Sequence, residues 1–133
     1  MSNTTKQDIE KLRSLGQSGV VFTKLETFVS HSKPGDSKVS FLCTEFTCRC
    51  PKTKQPDWAT IEFTYIPDKL MLESKSVKLY LETFRDKLIF HEHLAQKLLD
   101  DLIEILSPIE MRVTVNFNSR GGIAISATAK YEC

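Results

Sequence analysis

Hydrophobic and polar residues alternate over four stretches of this chain and recur at helical spacing over three. The segment KVSFLCTEFTC, 38–48, alternates and is rich in residues suited to strands. ATIEFTYI, 59–66, alternates again, with Ile61, Phe63 and Tyr65 on one face and Thr60, Glu62 and Thr64 on the other. A basic, turn-rich link joins the two, so they are expected to lie antiparallel as neighbours. MRVTVNF, 111–117, puts Met111, Val113, Val115 and Phe117 on one face. NSRGG then turns the chain, and IAISATA, 123–129, returns as its partner. Between these pairs the period changes. SKSVKLYLETFRD, 74–86, gathers Val77, Tyr80, Leu81 and Phe84 on one helical face. HEHLAQKLLDDLIEIL, 91–106, gathers Leu94, Leu98, Leu102 and Ile105 on another and is stopped by Pro108.

Residues 6–15 read as a short helix with Ile9, Leu12 and Leu15 on one side and Gly16 as its stop, inside an N-terminal extension over 1–18. Pro34-Gly35-Asp36 is turn chemistry and marks a loop. The order ββααββ with short links predicts an α+β domain spanning 1–133, in which a four-stranded antiparallel sheet carries two helices on one face.

Charge narrows the possible partners. Lys and Arg number 18 against 17 Asp and Glu, a net charge of +1. Such a balance offers no general pull toward nucleic acid or an anionic membrane, so an anionic ligand would need a local basic cluster. No run of signal-peptide or membrane-spanning type stands in the chain, and a cytoplasmic location is the expectation. Under reducing conditions Cys43, Cys48, Cys50 and Cys133 should be free thiols, which favours catalysis or metal binding over a disulfide framework.

The stretch FTCRCPKTKQPDWATIEF, 46–63, concentrates the candidate chemistry. In an extended strand Cys48 and Cys50 point to the same face, and a disulfide between them would be strained. Two cysteines filling a half-buried strand would be the plain reading. Pro51 alters it, because proline ends the ladder and leaves Cys50 at the strand's mouth, where a nucleophile can meet a ligand. Lys52 and Lys54 would favour the thiolate. Asp57 follows across the turn, and a carboxyl beside a thiolate is disposed to act as a proton donor.

Metal binding is the competing use of these residue types. Cysteines, His91 and His93 could ligate zinc, but no Cys-x-x-Cys or His-x-x-x-His pair exists, and Ala95 stands where a zincin helix needs its second histidine. No metal is therefore expected. His91 and Glu92 open a helix, where an acid is favoured by the dipole in any case. Lys75 and Lys78 are also what a solvated helix face would carry.

In combination these segments are narrower. CPKTKQPDWATI (50–61), ESKSVKLY (73–80), FHEH (90–93) and RGG (120–122) together resemble the QueF family, NADPH-dependent 7-cyano-7-deazaguanine reductases of queuosine biosynthesis. The resemblance covers about residues 16–126 and is of the short, single-module type. It implies the tunnelling fold, whose ββααββ order agrees with the pattern read above.

The resemblance also implies roles. Cys50 would be the nucleophile that adds to the nitrile carbon and forms a covalent thioimide, with Asp57 as general acid and His91 steering protons nearby. Two hydrides from NADPH would then give the aminomethyl product; a thiol suits this as both nucleophile and leaving group. Glu92 would accept hydrogen bonds from the guanine-like edge, with His91, Leu72, Glu73 and Ser74 as further substrate contacts. Lys75, Lys78 and Arg120 would hold the cofactor's phosphates, since no glycine-rich dinucleotide fingerprint is present. Cys48 stands where many relatives carry a small hydroxyl residue, and Leu94 where some carry a second cysteine.

Assembly is implied as well. The fold would close several chains edge to edge into a barrel, a homo-oligomer of two stacked pentamers with sites at the junctions. Two rival readings stand beside this one. The related amidinotransferase acting on deazaguanine in tRNA keeps the cysteine but lacks the lysine-bearing motif. A non-catalytic tunnelling-fold binding protein would need neither.

Overall fold

The structure is a computed structural model that describes residues 4–10 and 22–133. The helix expected over 6–15 is seen as α1 (Lys6–Glu10); Leu12, Leu15 and Gly16 lie outside the described residues. Beyond it come β1 (Thr27–Val29), β2 (Val39–Arg49), β3 (Pro56–Ile66), β4 (Leu70–Leu72), α2 (Ser74–Glu82), α3 (His91–Leu106), β5 (Glu110–Phe117) and β6 (Ser126–Glu132). Among the described residues β2, β3, β5 and β6 form one antiparallel sheet in that order, and the short β1 and β4 pair separately. The two short strands escaped the sequence pattern because three residues carry no readable period.

Alternation decides which face is buried. Ile61, Phe63, Tyr65, Val113 and Val115 are sealed, and they join Leu94, Leu98, Leu99, Leu102 and Leu106 of α3 in one apolar cluster. The opposite face carries cross-strand hydroxyl pairs, Ser40 with Thr64 at 3.0 Å and Thr114 with Thr128 at 3.1 Å. α3 packs on β5 and β6, and α2 packs on β2.

β2 departs from plain alternation. Its register with β3 passes from Cys43 opposite Ile61 to Phe46 opposite Ala59, a bulge of one extra residue. Without it, Phe41 and Cys43 would share a face with Glu45 and Thr47. With it, Phe46 and Cys48 turn inward and are buried, and Cys48 comes to stand opposite Asp57.

Several boundaries also differ from expectation: β3 already begins at Pro56 rather than Ala59, which places Asp57 inside the strand, and β6 runs on to Glu132 rather than Ala129. α2 ends at Glu82 rather than Asp86, because the Thr83 hydroxyl donates to the Tyr80 carbonyl at 2.6 Å and successive N–H groups reach back three residues. These tighter turns keep Phe84 in the core while redirecting the chain toward the end of β2. β6 begins at Ser126 rather than Ile123, because Arg120 and Ile123 bond to each other across a two-residue turn. Gly121 and Gly122 take positive φ values of 60° and 79° there, the pairing that makes a tight hairpin turn need glycine. Among the described residues no helix is long and apolar enough to cross a membrane.

Candidate active site

The loop between β2 and β3 is built around Cys50. Its N–H donates to the Gln55 carbonyl at 3.0 Å, and its own carbonyl accepts the Lys54 N–H at 2.9 Å. Lys54 takes a left-handed φ of 62°, and Arg49 Nη1 donates to the Lys54 carbonyl at 2.9 Å. Closed this way, the loop turns the N–H groups of Lys52 and Thr53 toward the thiol. Hydrogen bonding by the Thr53 hydroxyl, then by those two N–H groups, holds the Cys50 thiol below its ordinary value, against smaller opposing effects of desolvation and the Asp57 charge. Lys52 thus acts through its backbone, and Thr53, which carries the largest share, had not been singled out in the sequence. Its signal was the Pro-x-Thr spacing inside the turn.

Cys48 is the opposite case. It is fully buried, and burial, followed by the charges of Asp57 and Cys50, pushes its thiol up to about 11. Of the two neighbours, only Cys50 combines access with a favoured thiolate.

A second segment is drawn to the same place. Arg49 N–H donates to the Lys87 carbonyl at 2.9 Å, and Ile89 N–H donates to the Arg49 carbonyl at 3.1 Å, a short parallel bridge beside the end of β2. It fixes where α3 begins, so that Phe90, His91 and Glu92 lie beside the cysteine. Cys50, Pro51, Asp57, Ile89, Phe90, His91, Glu92 and Arg120 line one cavity of about 140 Å³.

Asp57 is its buried centre, 2 % exposed. Its Oδ1 accepts from Arg120 Nη1, and Arg120 Nη2 reaches Gln55 Oε1 at 3.2 Å. His91 Nε2 lies 2.9 Å from Oδ2. That approach is an ion-pair distance without hydrogen-bond alignment, so Oδ2 remains a buried acceptor with no well-formed hydrogen bond. The His91 ring is held flat on Phe117, 3.6 Å between centroids and 9° between planes. Glu92 is exposed in the first turn of α3.

The remaining candidates lie elsewhere. Leu72 N–H donates to the Tyr65 hydroxyl at 2.9 Å, at the far end of β3 from Asp57. Eight residues of strand separate Asp57 from Tyr65, roughly 26 Å. Glu73 caps α2: its two carboxylate oxygens accept the N–H groups of Lys75 and Ser76, each at 2.7 Å, and these bonds hold its carboxyl below its ordinary value. Ser74, Lys75 and Lys78 follow on α2, exposed. Arg120 joins Asp57, apart from the two lysines. Within one chain, then, Cys50, Asp57, His91, Glu92 and Arg120 converge, while Leu72, Glu73, Ser74, Lys75 and Lys78 form a second, separate group. No cluster of three or more His, Cys, Asp or Glu side chains suited to a metal occurs among the described residues.

Comparison with known proteins gives this arrangement a context. Residues 56–133 match a family model described as QueF-like protein. The NADPH-dependent 7-cyano-7-deazaguanine reductase of Frankia casuarinae is 55% identical over 107 residues, covering 80% of this chain and 84% of that one. The enzyme of the same name from Syntrophus aciditrophicus is 45% identical over 98% of this chain and 93% of its own. That of Bacillus subtilis is 41% identical over 98% and 83%. The crystal structure of the archaeosine synthase QueF-Like in the apo form superposes with a TM-score of 0.67 at 25% identity, over 74% of this chain and 95% of that one. With its cysteine, buried acid and helix-opening histidine in one cavity, the chain belongs to the QueF-like protein family.

Proposed function

We propose that this chain reduces the nitrile of 7-cyano-7-deazaguanine to the primary amine, 7-aminomethyl-7-deazaguanine, with NADPH as reductant, in queuosine biosynthesis. The observation that carries the reading is the pairing of a thiol disposed to ionise, Cys50, with a buried carboxyl, Asp57, in one small cavity. The reductase names of relatives 41% to 55% identical to this chain support it.

In this reading Cys50 Sγ adds to the nitrile carbon and forms a thioimide, while the nitrogen takes its proton from Asp57. His91, fixed on Phe117 and close to Asp57 Oδ2, orients that proton transfer. Glu92 accepts from the N–H and amino groups of the deazaguanine. NADPH, when bound, supplies the hydrides. Lys75 and Lys78 suit its phosphates, since both are exposed on α2 and neither has an ion-pair partner among the described residues. After the first reduction Cys50 leaves as the stable thiolate, which frees the carbon for the second. A dependence on free thiol fits a reducing, cytoplasmic setting.

The separation of the two residue groups supports a shared site. Roughly 26 Å of strand separates Asp57 from Tyr65, whose hydroxyl accepts the Leu72 N–H beside Glu73, so a single small molecule does not span both groups. β2 and β6 are the outer strands of the sheet, and joining their edges between chains would bring the second group of one copy to the cavity of the next. The tunnelling-fold barrel, in two stacked pentamers, is the assembly that follows from the family resemblance.

A second reading, the amidinotransferase, has the archaeosine synthase superposition in its favour. One assay separates them. Protein mixed with the nitrile should form an adduct seen by absorbance and intact mass, and NADPH should then be oxidised. An adduct without NADPH oxidation favours the transferase, and the absence of both signals overturns an enzymatic role.

A further inference from the structure

The short strands β1 and β4 are three residues each, and a two-stranded ribbon of that size is marginal by itself. Its flanking ladder bonds run from Ser30 N–H to the Lys69 carbonyl and from Glu73 N–H to the Glu26 carbonyl, each at 2.9 Å. Thr27 stands opposite Leu72, so the Leu72 N–H is of the alternate kind that points away from β1. It donates to Tyr65 Oη at 2.9 Å, inside the protein. Tyr65 is itself sealed in the core, opposite Met111 of β5. One phenol thus holds β4 against the four-stranded sheet, where a third strand would otherwise be needed. Just beyond it, Ser76 Oγ accepts the Glu26 N–H at 3.0 Å and donates to the Glu73 carbonyl at 2.8 Å, which closes the start of α2.

We propose that Tyr65 is a positioning residue for the deazaguanine, acting through the Leu72 N–H on the segment 72–74. The role rests on the nitrile reading, in which Leu72, Glu73 and Ser74 are substrate contacts. A sealed position in β3 asks only for a large apolar ring, and burying a hydroxyl there costs free energy unless the oxygen is bonded. The oxygen of Tyr65 is bonded to the first residue of that segment. Packing fixes the ring, so the oxygen is a rigid peg, and a segment already held in its bound geometry spares the substrate the cost of ordering it. Within its own chain Tyr65 lies roughly 26 Å of strand from Asp57, so its influence falls on binding rather than on bond making.

Tyr65→Phe keeps the ring and removes the one oxygen. Hydrogen exchange read by mass spectrometry should show residues 70–76 exchanging about tenfold faster while β5 stays within about twofold, because a buried N–H without its partner opens locally. With the nitrile titrated in the absence of NADPH, the concentration giving half the maximal adduct rate should rise about tenfold. The rate at saturation should stay within about twofold, as when binding alone is lost. Met111→Leu, a volume-conserving change at the facing core position, should move neither measurement by more than about twofold. Equal acceleration across β5, or the same loss in Met111→Leu, would make Tyr65 a general core residue and overturn the inference. Faster exchange over 70–76 at unchanged nitrile affinity would overturn it while leaving the nitrile reading intact. A wild-type protein that forms no adduct removes that reading, and the positioning role with it.

Discussion

Cys48 faces Asp57 directly across the ladder between β2 and β3, and both side chains are sealed from solvent. Cys50, two residues on, has left the strand and lines the cavity with the same aspartate. Cys50→Ala should therefore abolish the covalent adduct and turnover, whereas Cys48→Ala should keep substantial activity. Intact-protein mass spectrometry after exposure to the nitrile checks both; an adduct persisting in Cys50→Ala would reject the assignment.

The thiolate of Cys50 is held mainly by Thr53. Because the thiol lies below its ordinary value of 9.0, alkylation by iodoacetamide should rise with pH through a midpoint below 9.0. Thr53→Val removes the largest cause and should move that midpoint upward. Peptide mapping of the labelled protein separates Cys50 from the exposed Cys133. An unmoved midpoint would discount the hydroxyl.

Asp57→Asn keeps the shape of the carboxyl but cannot cycle a proton. Nitrile binding should survive, while reduction falls by about a hundred- to ten-thousand-fold, the usual cost of losing a positioned general acid. Stopped-flow measurement of NADPH oxidation tests this, and near-normal turnover would refute the role.

Tyr80 ties α2 to α3 by donating its hydroxyl to Asp101 Oδ2 at 2.6 Å, with Lys97 on the other oxygen at 3.0 Å. Tyr80→Phe should lower stability by about 1–2 kcal/mol near neutral pH. Burial first, and then Asp101, raises the phenol above its ordinary 10.0. The folded state thus favours the protonated form, so this stabilisation is full below pH 10 and is lost as pH rises beyond it. Urea denaturation should show the gap between wild type and Tyr80→Phe closing above pH 10. A gap that widens there would contradict the sign.

If each site is completed by a second copy, two crippled proteins should repair one another. Cys50→Ala and Lys75→Glu, each inactive alone, should regain roughly a quarter of wild-type activity when unfolded and refolded together, the share of junctions with both intact halves in a randomly mixed ring. Light scattering on a sizing column should show an assembly well above one chain. A fully active monomer, or no recovery on mixing, would end the shared-site proposal.

Local chemistry made much of this protein legible in its sequence. Period two and period 3.6 marked the long strands and helices, since burying one face of each element demands that spacing. Pro51 after Cys50 and the two glycines after Arg120 announced turns, because backbone geometry depends on those residues alone. What the sequence could not set out was pairing. The bulge between Cys43 and Phe46 leaves no local mark, yet it decides that Cys48 is buried against Asp57. The bridge of Arg49 to the 87–89 segment brings the start of α3 to the cysteine loop across some forty residues of chain. The reach of Arg120 to Asp57, and the distance between Asp57 and Glu73, likewise belong to strands meeting far from each other in sequence. Composition and spacing select which residues can do chemistry; only long-range packing decides which of them share a cavity, because that depends on register, and register is a property of two strands at once.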